Sequence, residues 1–316
     1  MDATDWITII ILIIVIIIVL LIIIFPVVIT SLLGKINNKL QNVLDFFSIN
    51  PSTNICNRAP AVEYPPQGFE PFVDQIYSRQ NAAMLLAMSL NTTKATCTNQ
   101  PPETPPGFNE PELISVSGPG QRISIPIGYW FKRPKTLRGP ESLGIFAFTS
   151  SLDVGSLSDY INLNQVPPTR INGYINGMEV QKDIYLIYQV VRPFLRSIWL
   201  RNKLTTSQLV FTGHGIGAGL SVLAALDFNE DLTAHYTFSA PAIGNPVFSQ
   251  QFSVLIGNSF RVVNSADLLP DLPPPVIQGI RYLQADSQTI SFNRNLGSYL
   301  NNNLEAYIQE FGLVVV

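Results

Sequence analysis

The distribution of apolar and polar residues divides the chain into a continuous apolar run, a loop-rich stretch and a long region of alternating patterns. Residues 7–29 are almost wholly Ile, Leu and Val, interrupted by Thr8 and Pro26. In a helix, at about 1.5 Å per residue, this run is long enough to cross a hydrocarbon core of roughly 30 Å. The pattern therefore predicts one N-terminal transmembrane helix, with residues 1–34 as a membrane anchor.

The stretch after the apolar run is rich in turn-forming residues. The sequence NPSTN at residues 50–54 and the proline-rich sequence at residues 100–107 are typical of turns and linkers. Between them, apolar residues recur at helical spacing and predict a helix from Phe72 to Leu90. We therefore assign residues 35–71 to a juxtamembrane linker and residues 72–316 to a folded domain.

The remaining chain alternates between strand-like and helix-like segments. Helices are predicted over residues 177–203 and 296–311, and a β-hairpin over residues 280–292. Alternating strands and helices indicate an α/β domain with a mostly parallel central sheet flanked by helices. The predicted strands are residues 123–130, 143–148, 209–213, 235–239 and 259–264.

The central pattern is a strand, a glycine-rich turn and a helix over residues 209–228, with the sequence LVFTGHGIGAGLSVLAALDF. One interpretation is the nucleophile elbow G-x-S-x-G, in which Gly215 stands at the position of the serine. A second is the dinucleotide fingerprint G-x-G-x-x-G/A on Gly213, Gly215 and Ala218. The acidic residue that this fingerprint requires after the next strand is absent, because that strand is followed by Ser239 and Ala240. A third interpretation is a corner that only packs.

Charge and composition indicate which binding partners the chain is expected to have. Only 13% of the residues are charged and the net charge is -3. No basic tract is present, so we expect no nucleic acid partner. No metal site and no cofactor are predicted. The bilayer is the partner that the apolar run predicts.

The N-terminus differs from a cleaved signal peptide, because it carries Asp2 and Asp5 in place of basic residues and its apolar run is longer. We therefore expect an uncleaved, single-pass anchor. Its orientation stays open. Lysines after the span favour a cytoplasmic domain, whereas the cysteine pair Cys56 and Cys97 and the glycosylation sequon at Asn91 are typical of an oxidising compartment.

Three segments resemble the motifs of one family. The sequence TGHGIGA at residues 212–218 is similar to T-G-H-S-L-G-G, and TFSAPAIGN at residues 237–245 resembles T-F-G-x-P-R-V-G-N. The sequence RVVNSADLLP at residues 261–270 resembles R-V-V-N-x-x-D-x-V-P. All three motifs belong to the class 3 (fungal-type) lipases, and their order and spacing agree. The resemblance covers about residues 72–311 and implies an α/β-hydrolase fold.

The resemblance also implies where a catalytic triad would lie. In that family a serine attacks an ester carbonyl, a histidine takes its proton and an aspartate orients the histidine. Asp267 falls on the aspartate and Gly215 on the serine, and glycine has no side chain with which to form an acyl-enzyme. The family's histidine opens the pattern H-x-[LM]-x-x-Y-L, which we match to residues 294–300. This places Arg294 on the histidine, and an arginine that stays protonated cannot act as a general base.

Two further consequences follow from the same resemblance. The oxyanion hole is expected at Ser150 or Ser151, with the backbone N–H of Ile216 as the second donor. Arg294 is expected to form an ion pair with Asp267 that closes the former site.

The sequence therefore predicts a membrane-anchored class 3 lipase-like protein of lipid metabolism that has lost ester hydrolysis. Such a pseudo-lipase would bind an acyl lipid or a protein partner in the old cleft. The alternative is an active carboxylic-ester hydrolase with a rearranged site. A dinucleotide-binding oxidoreductase is a third alternative.

Overall fold

The computed structural model describes residues 59–117, 124–136, 141–149, 165–267, 269–273, 275–277, 279–285, 287–296 and 303–316. The chain divides into one unit of residues 1–49 and a second unit of residues 50–316, and all described residues lie in the second unit. The predicted anchor, residues 1–34, lies outside the described residues. Within the described ranges, no helix is both long and apolar enough to span a bilayer.

The elements of the second unit alternate as the sequence pattern predicts. The five α-helices that the described residues form are α1 (Arg79–Thr98), α2 (Lys182–Asn202), α3 (Ile216–Asp227), α4 (Pro246–Leu255) and α5 (Asn303–Phe311). The longer strands are β1 (Glu112–Ser117), β2 (Ser124–Arg133), β3 (Leu143–Phe148), β6 (Gln208–His214), β7 (Ala234–Phe238), β8 (Ser259–Asn264) and β11 (Gln288–Phe292). Two-residue strands are β4 (Gln165–Val166), β5 (Val180–Gln181), β9 (Val276–Ile277) and β10 (Ile280–Arg281), and 3-10 turns occupy Lys203–Thr205 and Leu269–Asp271.

Seven strands form one sheet in the order β1-β2-β3-β6-β7-β8-β11. The pairs from β3 to β11 are all parallel, and β2 is antiparallel to both of its neighbours. This confirms the prediction of a mostly parallel central sheet. Because parallel strands end at one edge, the carboxyl ends of β6, β7 and β8 lie side by side, where α/β folds bind their ligands.

The predicted hairpin over residues 280–292 is wrong. Strand β10 pairs with β9, and β11 instead adds to the main sheet in parallel, with Gln288 opposite Phe260. The parallel arrangement covers the open edge of β8. It also packs Ile290 and Phe292 against one of the two apolar cores.

The sheet separates two apolar cores. One core lies between the sheet and α2, α3 and α4, and includes Phe146, Phe211 and Leu195. The other lies between the sheet and α1 and α5, and includes Phe260 and Tyr307. Helices thus flank the sheet on both faces. The carboxyl ends of the parallel strands meet at one edge of the sheet, between these two helical layers.

The folded domain begins before residue 72, so part of the predicted linker is wrong. Val62 is buried in the second core, and the neighbouring Glu63 N–H donates to Val314 O at 2.9 Å. Helix α1 begins only at Arg79, because the Ser78 hydroxyl accepts a hydrogen bond from the N–H of Asn81 and caps the helix there.

The sequon at Asn91 is not an accessible acceptor in this fold. The Asn91 side chain is buried, and its amide bonds both the N–H and the C=O of Val62 at 2.8 Å. Cys97, near the end of the same helix, is disulfide-bonded. Two features suggested an oxidising compartment. The disulfide at Cys97 supports it, whereas the buried sequon at Asn91 does not.

Candidate functional site

The corner between β6 and α3 has the geometry of a nucleophile elbow. Gly215 joins the strand to the helix with φ 58° and ψ −124°, a backbone conformation that costs an L side chain energy. Gly213 and Gly217 close the turn by backbone contact. A Cβ atom on Gly217 would lie 2.3 Å from Thr149 O, and one on Gly213 would lie 2.5 Å from the Gly217 carbonyl carbon. The turn therefore has the backbone geometry of the predicted elbow, with a glycine at its apex.

Two hydrogen bonds connect this elbow to Asp267 across the carboxyl ends of adjacent strands. The N–H of Gly215 donates to Phe238 O at 2.9 Å, on the last residue of β7. The next residue, Ser239, donates its hydroxyl to Oδ2 of Asp267 at 2.5 Å. The structure thus brings Gly215, Ser239 and Asp267 together, in the order of the strands that precede them.

Asp267 lies in a turn just after β8 and accepts hydrogen bonds from several groups. Besides Ser239, the N–H of Leu269 donates to Oδ1 at 3.0 Å and the hydroxyl of Tyr307 donates to Oδ2 at 3.4 Å. Burial, reinforced by the charge of Asp267, raises the pKa of Tyr307. The phenol therefore remains protonated and acts as a donor at any ordinary pH.

Both histidines of the chain are buried core residues. The ring of His214 meets the ring of Tyr307 edge-on with centroids 5.6 Å apart, and burial lowers the pKa of His214 to about 4. His235 lies within β7, where its two ring nitrogens are 3.0 Å from Ser221 Oγ and 2.8 Å from Ser259 Oγ. Burial lowers the pKa of His235 to about 3. The position beside Asp267 Oδ2 is taken by a hydroxyl, not by either imidazole.

Arg294 follows β11, and its backbone lies close to the acid loop, which is the segment of residues 265–267 that follows β8 and carries Asp267. Its N–H and C=O bond the side chain of Asn264 at 3.0 Å and 2.9 Å. The guanidinium, however, pairs with Glu310 on α5 at 2.9 Å. The predicted ion pair between Arg294 and Asp267 is therefore wrong. The carboxylate of Glu310 is presented on the adjacent helix, whereas Asp267 already has donors.

The structure describes one of the residues predicted to form the oxyanion hole, Ile216. Ile216 is the first residue of α3, so its N–H has no acceptor within the helix. Ser150 and Ser151 lie outside the described residues. Thr149 precedes them and packs against the elbow through its carbonyl oxygen. Nowhere in the described part of the chain do three potential metal-ligating side chains cluster.

Comparisons with known proteins agree with this geometry. The family profile described as "Lipase (class 3)" matches residues 148–277, which include the elbow, Ser239 and Asp267. Residues 148–277 of this chain are therefore class 3 lipase-like. This similarity favours the lipase elbow over the dinucleotide fingerprint as the interpretation of the glycine corner.

The relatives of this lipase-like domain match it over part of their length. The secreted mono- and diacylglycerol lipase MDL3 of Malassezia globosa is 29% identical over 154 residues, which are 42% of this chain and 48% of the relative. MDL2 of the same organism is 37% identical over 109 residues, 33% of each chain. The chain therefore spans between a third and a half of the length of these relatives.

A solved structure shows the same fold. The native Rhizomucor miehei lipase propeptide complex superposes with a TM-score of 0.51, over 79% of this chain and 83% of that chain, at 16% sequence identity. The lipase-like domain thus has the α/β-hydrolase lipase fold, with a mostly parallel sheet flanked by helices.

Two site residues of this lipase domain escaped the sequence interpretation. The family block T-F-G-x-P-R-V-G-N has glycine where this chain has Ser239, and that substitution was the available signal. The pattern H-x-[LM]-x-x-Y-L also fits a second register, with Leu304 and Tyr307 as its leucine and tyrosine. The contact of Tyr307 with Asp267 favours this register. It places Asn302, which lies outside the described residues, on the histidine.

Proposed function

We propose that this protein is a membrane-anchored pseudo-lipase that binds an acyl lipid in the inherited cleft without hydrolysing it. The observation that carries the proposal is Gly215 at the apex of an otherwise complete elbow. The backbone conformation that holds the nucleophile is present, with φ 58°, and the attacking oxygen is absent. Without that oxygen no acyl-enzyme forms.

The absence of a general base supports the same conclusion. The two histidines of the chain are His214 and His235, and both are buried in the cores. Arg294 or Asn302, the two residues that the family pattern places on the histidine, cannot take a proton near neutral pH. In serine proteases the machinery that remains without a triad gives only about 10³–10⁴-fold acceleration over the uncatalysed reaction. A retained oxyanion hole therefore does not replace the triad.

The proposed ligand follows from the relatives. Those named above are called mono- and diacylglycerol lipases, so we propose an acylglycerol as the ligand class. The predicted span of residues 7–29 would hold the domain beside the bilayer from which such a lipid enters. A protein partner in the same cleft is the second candidate ligand.

The disulfide supports one orientation of the anchor. Disulfides persist in oxidising compartments and are rare in the cytosol. Cys97 is disulfide-bonded, and the relatives are described as secreted. We therefore propose that the lipase domain faces the lumen or the outside of the cell. The buried Asn91 contributes nothing to this argument.

An active carboxylic-ester hydrolase with a rearranged site is the alternative, and one observation favours it. The Ser239 hydroxyl lies 2.5 Å from Asp267 and is the described hydroxyl best placed to act as a new nucleophile. Against it, Ser239 is 0% exposed, and the side-chain hydrogen bonds described for it join the carboxylate of Asp267 and the phenol of Tyr307. A substrate carbonyl has no approach to an oxygen that is fully covered.

The experiment that tests the proposal compares hydrolysis with binding. The full chain, purified in detergent, is assayed on mono- and diacylglycerols, with Asp267→Asn and Ser239→Ala variants as controls. We expect no turnover above either control, and retention of labelled diacylglycerol by the wild type through gel filtration. Turnover that depends on Asp267 or Ser239 would establish the alternative. Failure to retain the lipid would refute lipid binding and favour a protein partner.

A further inference from the structure

Ser239 adds a functional group to the site, because the family block has glycine at this position. It directly follows β7 and has φ 55°, in the left-handed region that a serine adopts only at a cost. The described residues include two other non-glycine residues of this kind, Gln75 and Asn99, and both are exposed. Ser239 is fully buried. A buried serine in this conformation, where the family block has glycine, requires a compensating interaction.

That interaction is the hydrogen bond to the retained acid of the triad. In a working triad, the aspartate accepts a hydrogen bond from the histidine ring. Here Oδ2 of Asp267 accepts from Ser239 at 2.5 Å. We infer that Ser239 has taken over the hydrogen bond that the histidine gives in an active lipase. It thus holds Asp267 in place after loss of the base. This inference rests on the proposed function, since it treats the histidine as lost.

The alternative role of Ser239, as a nucleophile, does not fit its surroundings. The hydroxyl donates to a carboxylate and is covered on all sides. The nearby phenol of Tyr307 donates to the same oxygen and is no base. Ser239 is therefore a positioning residue that acts through Asp267.

Ser239 would also hinder the restoration of activity. A histidine rebuilt at the site must donate to Asp267, and Ser239 occupies one of the two carboxylate oxygens. Replacing Gly215 by serine and restoring the histidine is then insufficient. Ser239 must also return to glycine, which removes the shorter of the two described side-chain hydrogen bonds to Oδ2 and relieves the positive φ.

The first test is a double-mutant cycle on the thermal unfolding midpoint of the full chain in detergent. Ser239→Ala and Asp267→Ala are each expected to lower the midpoint by about 5 °C, and the double variant by little more than the larger single change. Tyr307→Phe is the control, because its longer contact with Asp267 should leave the coupling between Ser239 and Asp267 intact. Additive losses from the two single changes would overturn the inference.

The second test measures a property that a purely structural role would not affect. The rate of labelling by a fluorophosphonate is compared for Gly215→Ser with Asn302→His, with and without Ser239→Gly, and the same set is built with Arg294→His. We expect at least a tenfold faster reaction at residue 215 when Ser239→Gly is present. Equal rates would contradict the inference, and the unfolding cycle decides the case in which no rebuilt variant reacts. Labelling of Ser239 in the wild type would instead refute the proposed function.

Discussion

Under the proposed function, the elbow and the acid loop have kept opposite halves of the catalytic machinery. At the elbow, the backbone of Gly213 to Gly217 is retained and the reactive side chain is gone. At the acid loop, the side chain of Asp267 is retained and its hydrogen-bond partner has changed to Ser239. The two regions are therefore under different constraints. Backbone packing constrains the elbow, and the need of Asp267 for hydrogen-bond donors constrains the acid loop. Neither constraint depends on hydrolysis.

The elbow is constrained by contacts between backbone segments. Thr149 at the end of β3 lies directly against Gly217, so the corner persists whether or not a serine stands at its apex. The acid loop is constrained by the cost of leaving a partly buried carboxylate without donors. A new donor at Ser239 therefore relieves the loss of the histidine, whereas no packing contact requires the serine oxygen.

The largest expected loss of stability follows from a substitution at Gly217, one of the glycines that close the elbow. Gly217→Ala places a Cβ atom 2.3 Å from Thr149 O, a backbone atom that cannot move without disturbing β3. We expect a loss of more than about 3 kcal/mol in the free energy of unfolding, at the upper end of overpacking effects. Denaturant-induced unfolding followed by circular dichroism measures it.

Gly219→Ala is the matched control for that substitution. It lies on the same helix, α3, and its Cβ would meet the ends of the Ile184 and Ile243 side chains at 3.0 and 3.3 Å. These side chains can adjust, so we expect a change within about 1 kcal/mol. A similar loss for both variants would show that the backbone contact is not the constraint on the elbow.

The next largest expected effect is the loss of stability of the folded protein as the pH falls. The pKa values of His214 and His235 are lowered by burial from 6.5 to about 4 and about 3. The unfolded chain therefore binds more protons below pH 6.5, and stability present above that pH is lost as the pH falls towards the folded-state values. Between pH 7 and pH 5 each histidine contributes a loss of about 2 kcal/mol.

His214→Gln separates the elbow histidine from the strand histidine. We expect this variant to lose about half as much stability between pH 7 and pH 5 as the wild type, because only His235 then remains. Histidine NMR signals that titrate near pH 6.5 in the folded wild type would contradict the burial of both rings.

The sequence was informative where the determining contacts are local. The predicted strands at residues 143–148 and 259–264 agree with β3 and β8. The first is the continuous apolar run LGIFAF, and the second contains the β-branched pair Val262 and Val263. The elbow was equally evident, since its glycines follow one another within five residues. These features need no knowledge of distant contacts.

Other features depend on contacts between residues far apart in sequence. The parallel pairing of β11 with β8 replaces the local hairpin that the sequence suggested. The bonds of Asn91 to Val62 and of Ser239 to Asp267 each span about 30 positions, and no local pattern reports them. The position of the lost histidine was ambiguous for the same reason, because only the contact of Tyr307 with Asp267 distinguishes the two registers.

A smaller effect is expected for restoring the serine at the elbow. Gly215→Ser introduces a side chain at φ 58°, which should lower the free energy of unfolding by about 1–2 kcal/mol. Urea unfolding measures this loss, and a parallel assay on monoacylglycerol should show no turnover, because no imidazole adjoins the new hydroxyl. Turnover by this single variant would mean that a base is present after all.

The smallest effect is expected at the ion pair between Arg294 and Glu310. The Arg294 side chain is 41% exposed, so solvent screens its attraction to Glu310. Arg294→Ala should therefore change the free energy of unfolding by less than about 1 kcal/mol, and Arg294→Lys by less still, as measured by urea unfolding at low and high salt. If Arg294 instead closed the former site by pairing with Asp267, Arg294→Ala would lower the free energy of unfolding strongly. The size of this loss would then depend on the presence of Asp267. A loss above about 2 kcal/mol that disappears in an Asp267→Ala background would restore that interpretation and displace Ser239 as the partner of the acid.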